Sequence, residues 1–380
     1  MKRTLILLSA YQFLLEFITI YAIEKLFFLD SGLSIFQVSI LNAVWGLSTL
    51  LFEIPTGVLA DYWDRKKMLT SSGILLGFGY LLWLIFPSFW GFLLGLILRG
   101  LSLSFSSGTL QAYLYDHLSQ NGEAEQFEKR WGRLKAMYFV GTGLGWIVGG
   151  ILSEYSTQLL IVLSSLTGFL AALVSLLLPQ LPKTLKVEEH PFAFLKIGLK
   201  FSLQNRFLLS SLLFSLIVWS SWFVLDEYWN VYLQWYGLSN AHFGLFVGSA
   251  SLMGAVVGSF AHRLRKRVEP SIGVGVTFLG LTLLLSGFFP SPLWFFPLFF
   301  LESVMATLLV LQESVVQHHA PESHRATLAS IQSLVKEFGI VSGFVFAYVW
   351  QSFGIQMGFA FFGGLMLLYL PFHFFLNAGK

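Results

Sequence analysis

The stretch MLTSSGILLGFGYLLWLIFPSFWGFLLGLILRG, residues 68–100, contains two long apolar runs that are separated only by Phe86-Pro87-Ser88. A helix needs about 20 mainly apolar residues to cross a bilayer, whereas the strands of a membrane barrel alternate polar and apolar residues over about 10 positions. Neither run alternates, so the stretch predicts two membrane helices joined by a tight turn.

The same length criterion applied to the whole chain predicts roughly twelve membrane helices, and hence an all-α membrane protein. The predicted spans are 4–29, 35–60, 68–86, 89–118, 131–153, 156–179, 206–236, 240–262, 270–289, 292–317, 325–351 and 354–377.

The composition agrees with a chain whose surface mostly faces lipid. Of the 380 residues, 56% are hydrophobic and only 11% are charged, whereas a soluble domain has about a quarter of its residues charged. The chain has no cysteine, and His318-His319 lack the spacing of metal ligands, so we expect no metal and no cofactor. The net charge of +3 is small and gives no reason to expect a nucleic-acid partner.

The basic residues predict the orientation of the chain in the membrane. They fall almost entirely in one set of connections, at Lys2-Arg3, Arg65–Lys67, Lys129-Arg130, Lys183–Lys200, Arg263–Arg267, Arg325 and Lys380. Because basic loops stay on the cytoplasmic side, we expect a multi-pass protein of the cell inner membrane with both termini cytoplasmic.

The chain is predicted to consist of two similar halves, 1–179 and 206–380, joined by a charged cytoplasmic linker at 180–205. Gly57 to Lys67 follows the second span, and the related stretch Gly258 to Arg267 follows the eighth. A weak duplication of six spans plus six is typical of transporters that are built from two parallel repeats.

Two motifs in the first half indicate specific helix contacts. In the first, Gly57 allows close helix packing, and Asp61 can pair with basic groups such as Arg65 and Lys66 to form a breakable latch. The second is a series of glycines in span five, whose spacing clears one helix face for a neighbouring helix. These glycines are Gly132, Gly141, Gly145, Gly149 and Gly150.

Both motifs resemble signatures of the major facilitator superfamily. The first is similar to G-x-x-x-D-x-x-G-R-K/R, with Asp64 in place of a glycine, and the second to the antiporter signature G-x8-G-x3-G-P-x2-G-G, with Trp146 in place of the proline. A third likeness is Arg99-Gly100 with Gly108, in the region where the family has an arginine that takes part in proton coupling. The resemblance implies the major facilitator fold and, through the glycines, the branch of proton-coupled drug and metabolite exporters.

Five charged residues are predicted to lie about 15 Å deep, near the bilayer midplane. They are Glu16, Arg99, Glu302, Lys336 and Glu337. Because each buried charge costs at least about 2.5–3.5 kcal/mol, we expect these groups to face a wet cavity or each other. The predicted lining of this substrate cavity is Glu16, Asn42, Trp45, Arg99, Gln111, Glu302 and Lys336.

Proton coupling is assigned to Glu16, Arg99, Glu302 and Glu337. In this hypothesis Arg99 keeps cavity acids charged, and an acid that loses water in one conformation binds a proton there and releases it in the other. The static alternative is a set of buried ion pairs that only fix helix packing.

The sequence therefore favours a monomeric, proton-driven exporter of small amphipathic compounds. One alternative is a proton-coupled importer of an organic nutrient or anion. An integral-membrane enzyme is less favoured, because the sequence contains no metal motif and no nucleophile elbow.

Overall fold

The computed structural model describes residues 2–181, 203–259, 268–319, 335 and 339–377, apart from some side chains that include those of 53–62 and 313–319. In these residues the regular structure is helical throughout, and nine helices are long and apolar enough to cross a membrane. The predicted all-α membrane fold is confirmed. The count of twelve stays a prediction, because parts of the eighth and eleventh predicted spans lie outside the described residues.

The helices are numbered in chain order. They are α1 (Lys2–Glu16), α2 (Glu24–Asp30), α3 (Ile35–Tyr62), α4 (Arg65–Ile85), α5 (Phe89–Gln120), α6 (Phe127–Ser153), α7 (Thr157–Leu176), α8 (Arg206–Leu213), α9 (Ser220–Glu227), α10 (Trp229–Trp235), α11 (Asn240–Ser259), α12 (Val268–Phe288), α13 (Phe295–Phe299), α14 (Leu301–His319), α15 (Gly339–Phe353) and α16 (Ile355–Asn377). Short 3-10 helices cover Thr19–Ala22, Ala124–Gln126 and Pro292–Trp294, and a π-helix covers Phe214–Trp219.

The chain divides into two compact units. The first comprises Met1–Lys186 with Leu238–Leu252, and the second Val187–Gly237 with Met253–Lys380. The predicted halves and linker stay a prediction.

In the first unit, small residues bring helix backbones close together. A Cβ added at Gly73 of α4 would lie 2.7 Å from the carbonyl oxygen of Gly168 in α7. Without a hydrophobic force between helices in lipid, such close approach supplies the packing that holds membrane helices together.

The first predicted span is not one helix. α1 ends at Glu16, and the chain continues as the 3-10 helix Thr19–Ala22 before α2. The β-branched run Ile18-Thr19-Ile20 disfavours helix. The backbone N–H of Ile20 donates to the hydroxyl of Ser164 at 3.1 Å, and the Thr19 hydroxyl donates to the carbonyl of Leu160 at 2.9 Å. The interruption is therefore stabilised by α7, because a neighbouring helix bonds the freed backbone groups.

In the second unit, two other predicted spans are interrupted. Span 206–236 contains the π-helix Phe214–Trp219 and a turn at Tyr228 between α9 and α10. Span 292–317 is divided at Phe300, whose N–H bonds the carbonyl of Pro297 at 3.1 Å in a tight turn. Both interruptions are local changes of helix type that an apolar length criterion does not detect.

Aromatic side chains fill the second unit around α10. Tyr232 is fully buried, and its ring stacks on Phe359 of α16 at 3.8 Å between centroids. Tyr228 stacks on Phe346 of α15 at 4.8 Å. These stacks hold α10, α15 and α16 together in this unit.

Candidate functional site

The most concentrated charge in the described part of the chain is a buried cluster around Arg99, in the first half of α5. Arg99 Nη1 donates to Glu24 Oε2 at 2.8 Å, and Arg99 Nη2 donates to the Tyr21 hydroxyl at 3.0 Å. Lys25 Nζ donates to the other oxygen of Glu24 at 2.6 Å. Glu24, Lys25 and Arg99 are 4%, 3% and 5% exposed, so three charges are removed from solvent together.

Aromatic rings surround the guanidinium of Arg99. Its Cζ lies 5.0 Å from the ring centre of Tyr21, 5.4 Å from Trp45, 5.3 Å from Tyr80 and 5.6 Å from Trp83. Ring faces attract a cation, more strongly where water is excluded. The rings and Glu24 together offset the cost of burying this charge away from water.

The interruption of the first span positions this cluster. Because the chain leaves α1 and restarts as α2 at Glu24, the Glu24 carboxylate is directed at α5 rather than following the turn of a continuous helix. Arg99 was predicted to hold cavity acids in the charged state, and the acid that it bonds is Glu24. The sequence feature that could have indicated this contact is the adjacent acidic and basic pair Glu24-Lys25 inside an apolar span.

The two acids predicted to carry protons lie at helix interruptions. Glu16 is the last residue of α1, is partly buried, and accepts a bond from Gln12 Nε2 at 3.3 Å. Glu302 is the second residue of α14, immediately after the break at Phe300, and is also partly buried. Within the described residues, neither carboxylate has a basic ion-pair partner, in contrast to Glu24.

The other predicted cavity residues are distributed differently. Trp45 lies against Arg99, Asn42 is buried in α3, and Gln111 is exposed on α5. Lys336 and Glu337 lie outside the described residues. Within the first unit, the structure places Trp45 against Arg99, and Glu16 is near enough to Arg99 for an electrostatic interaction. Each predicted role in the cavity or in proton coupling remains a prediction.

The predicted latch is partly described. Asp64, which replaces a glycine of the signature, caps α4 by accepting from the N–H of Lys66 at 2.8 Å. Arg65 donates to the carboxylate of Asp116 in α5 and, at 2.7 Å, to the carbonyl of Ala112. Gly57 and Asp61 belong to α3, but their side chains are outside the described set. Asp116 was not predicted as the partner of Arg65.

The contribution of the Arg65 bonds to stability can be tested by mutation. Replacing Arg65 with glutamine should lower the free energy of unfolding by about 1–2 kcal/mol, because a partly buried charged bond and a carbonyl bond are lost. Thermal unfolding in detergent measures the change. Lys67→Gln is the matched control, since Lys67 is exposed in the same turn of helix. Equal destabilisation by the two variants would contradict the assignment.

The predicted antiporter glycines pack against two parts of the first unit, the interrupted first span and α11. An added Cβ would lie 2.7 Å from the Phe13 carbonyl at Gly141 and 3.0 Å from the Ile18 nitrogen at Gly145, and at Gly149 it would overlap the Thr19 carbonyl. At Gly150 it would meet Gly244 of α11 at 2.7 Å instead. At Gly132 nothing lies within 4 Å. Most of the motif therefore packs against the interrupted first span.

These observations define a multi-pass, helical membrane protein with a buried cluster of charges. The chain belongs to the Major Facilitator Superfamily, whose family model matches residues 5–344. It is 24% identical over 346 residues to the uncharacterized MFS-type transporter YxaM of Bacillus subtilis (strain 168), in a match that covers 87% of this chain and 85% of that protein.

Solved structures agree on the fold. The nucleoside transporter NupG superimposes with a TM-score of 0.82 at 13% identity, over 100% of this chain and 100% of that one. A bacterial homolog of the human lysosomal transporter Spinster, in an inward-facing and occupied conformation, superimposes with a TM-score of 0.79 at 14% identity, over 99% and 96% of the two chains.

Proposed function

We propose that this transporter couples proton entry to the export of small, partly apolar or amphipathic compounds across the inner membrane, with both termini in the cytoplasm. The observation that carries the proposal is the placement of Glu16 and Glu302. Each is an acid at an interruption of a membrane helix, and neither forms an ion pair with a described residue. Broken membrane helices are the usual places where transporters bind substrates and coupling ions.

The contrast with Glu24 supports a division of roles. Glu24 bonds two cations at 2.6 and 2.8 Å, so a proton arriving there would have to displace Lys25 or Arg99. Glu16 and Glu302 can gain or lose a proton without breaking such a pair. A conformational change that alters their access to water would therefore change their proton occupancy.

The glycines of α6 support export and exchange. Gly141, Gly145 and Gly149 lie against residues 13–22, the segment that contains Glu16 and leads to Glu24. The antiporter-like motif thus packs directly on the part of the chain that carries the proposed coupling acid. Basic residues at the chain ends and in the alternate connections support the cytoplasmic placement of both termini.

The test begins by finding a ligand. Purified protein is screened by thermal shift against a chemically varied library at several pH values, because a bound ligand raises the unfolding temperature. Uptake of each hit is then measured in inside-out vesicles with and without a pH gradient. We expect uptake that requires the gradient. Accumulation only in right-side-out vesicles would show import, and a chemically altered compound would show an enzyme.

Replacing Glu16 or Glu302 with glutamine should abolish gradient-driven uptake while leaving folded protein. Glutamine keeps the shape of the side chain but cannot exchange a proton. Glu154→Gln, at an exposed position after α6, is the matched control and should retain full uptake. Full activity of both Glu16→Gln and Glu302→Gln would refute the coupling role.

A further inference from the structure

A cavity of about 630 Å³ lies in the first unit, between α1 and the first half of α6. Lys2, Arg130 and Arg133 line one end, and the wall beyond them includes Ile6, Phe13 and Met137. We call it the basic groove. Its volume is in the range of small-molecule binding sites, and it combines positive charge at one end with an apolar wall.

The positive charge of the basic groove is largely uncompensated in the described residues. No acidic side chain is among the described residues that line it. Lys2 and Arg133 are exposed and have no ion pair with a described residue. Arg130 Nη2 donates to Gln126 Oε1 at 2.7 Å and lies 4.0 Å from Glu123 Oε2, while its Nε is buried without a described partner.

The apolar part of the basic groove is open rather than packed. Ile6 is 68% exposed, and Phe13 and Met137 are only partly buried. An anion that is small and fully hydrated would use the cations but would leave this wall uncovered. A molecule with an anionic head and a hydrocarbon chain would satisfy both parts.

The position of the basic groove indicates which amphipathic anion it binds. Lys2 begins α1, and Arg130 and Arg133 lie in the first two turns of α6, at the end of the bundle that the basic loops predict to be cytoplasmic. Basic pockets between membrane helices on that side attract anionic lipid head groups.

We propose that the basic groove binds an anionic phospholipid of the inner leaflet. The phosphodiester lies between Lys2, Arg130 and Arg133, and an acyl chain runs along Ile6, Phe13 and Met137. The proposal is independent of proton coupling and of the direction of transport.

The test compares two double variants of the full-length protein in detergent. Lys2→Gln/Arg133→Gln removes two cations from the basic groove. Arg3→Gln/Lys135→Gln removes two cations from neighbouring positions that do not line it. Apparent affinity for phosphatidylglycerol is obtained from the rise in unfolding temperature during a lipid titration. Phosphatidylcholine and glycerol 3-phosphate are titrated in parallel.

We expect the groove variant to bind phosphatidylglycerol about 25-fold more weakly, since each cation near a membrane surface contributes roughly a factor of five. The control variant should stay within about twofold of the unmodified protein. Equal losses in the two variants would show general attraction to charge and overturn the proposal. Stabilisation by glycerol 3-phosphate as strong as that by phosphatidylglycerol would also overturn it, because the apolar wall would then have no role.

A second variant tests the apolar wall separately. Ile6→Glu places a negative charge on a position that is already exposed, so the fold should persist. It should weaken phosphatidylglycerol binding at least as much as the loss of one cation. Unchanged lipid affinity in Ile6→Glu would refute the placement of the acyl chain.

Discussion

Replacing Arg99 with glutamine is expected to destabilise the protein by about 3–5 kcal/mol and to abolish transport, because a charge-assisted bond worth about 1.5–3 kcal/mol and buried cation–π contacts worth about 2 kcal/mol are lost together. Glu24 would lose its 2.8 Å bond to Arg99 Nη1, and the four rings around the guanidinium would lose their cation. Denaturant titration in detergent measures the stability. Arg3→Gln, at an exposed basic position, should change the stability by less than about 0.5 kcal/mol.

Two further variants separate charge from geometry at Arg99. Arg99→Lys keeps the charge but loses the planar fork that bonds Glu24 and Tyr21 simultaneously, so an intermediate loss is expected. In the double variant Glu24→Gln/Arg99→Gln, the two single losses should overlap by about 1.5–3 kcal/mol. Additive losses would mean that Glu24 and Arg99 do not interact, and wild-type stability of Arg99→Gln would contradict the buried pair itself.

Replacing Gly149 with alanine is the second change with a large expected effect. The new methyl group would overlap the carbonyl oxygen of Thr19 and lie 3.0 Å from Ala22 Cβ. Either α6 or the 3-10 helix Thr19–Ala22 would have to move, at a cost of about 1–3 kcal/mol. Because this segment positions Glu24 against Arg99, transport should fall as well. Thermal unfolding and vesicle uptake measure the two effects.

Gly132 provides the matched control in the same motif and the same helix. Nothing lies within 4 Å of a Cβ added there, so Gly132→Ala should be neutral or stabilising by up to about 1 kcal/mol through helix propensity. Equal stability of Gly149→Ala and Gly132→Ala would contradict the close packing of α6 against the first span.

Local patterns in the sequence predicted the membrane helices well. The turn at Phe86-Pro87-Ser88 does separate α4 from α5, and Ser88 caps α5 by accepting from the N–H of Gly91 at 3.4 Å. Asp64 departs from the family signature, but a short acidic side chain just before a helix is a typical N-cap, and Asp64 does accept from the N–H of Lys66. Such features depend on neighbours within a few residues, so the sequence carries them directly.

The interruption of the first span was not predicted, because it depends on a distant partner. Ile18-Thr19-Ile20 only weakens the helix, and a membrane helix can contain such residues. The Ser164 hydroxyl, 144 residues further along, bonds the Ile20 N–H that the break leaves free. Without that bond, the Ile20 N–H would have no hydrogen-bond acceptor, and an unsatisfied backbone group in hydrocarbon costs several kcal/mol.

By itself, the sequence determined the class of protein, since apolar runs of bilayer length leave the chain no stable alternative to membrane helices. It also determined which positions carry charges that the membrane would otherwise reject, Arg99 and Glu302 among them. Only the tertiary structure decided that Arg99 bonds Glu24, 75 residues away, while Glu16 and Glu302 bond no described cation. The reason is physical: insertion depends on each helix's own hydrophobicity, whereas ion pairing depends on which helix faces meet.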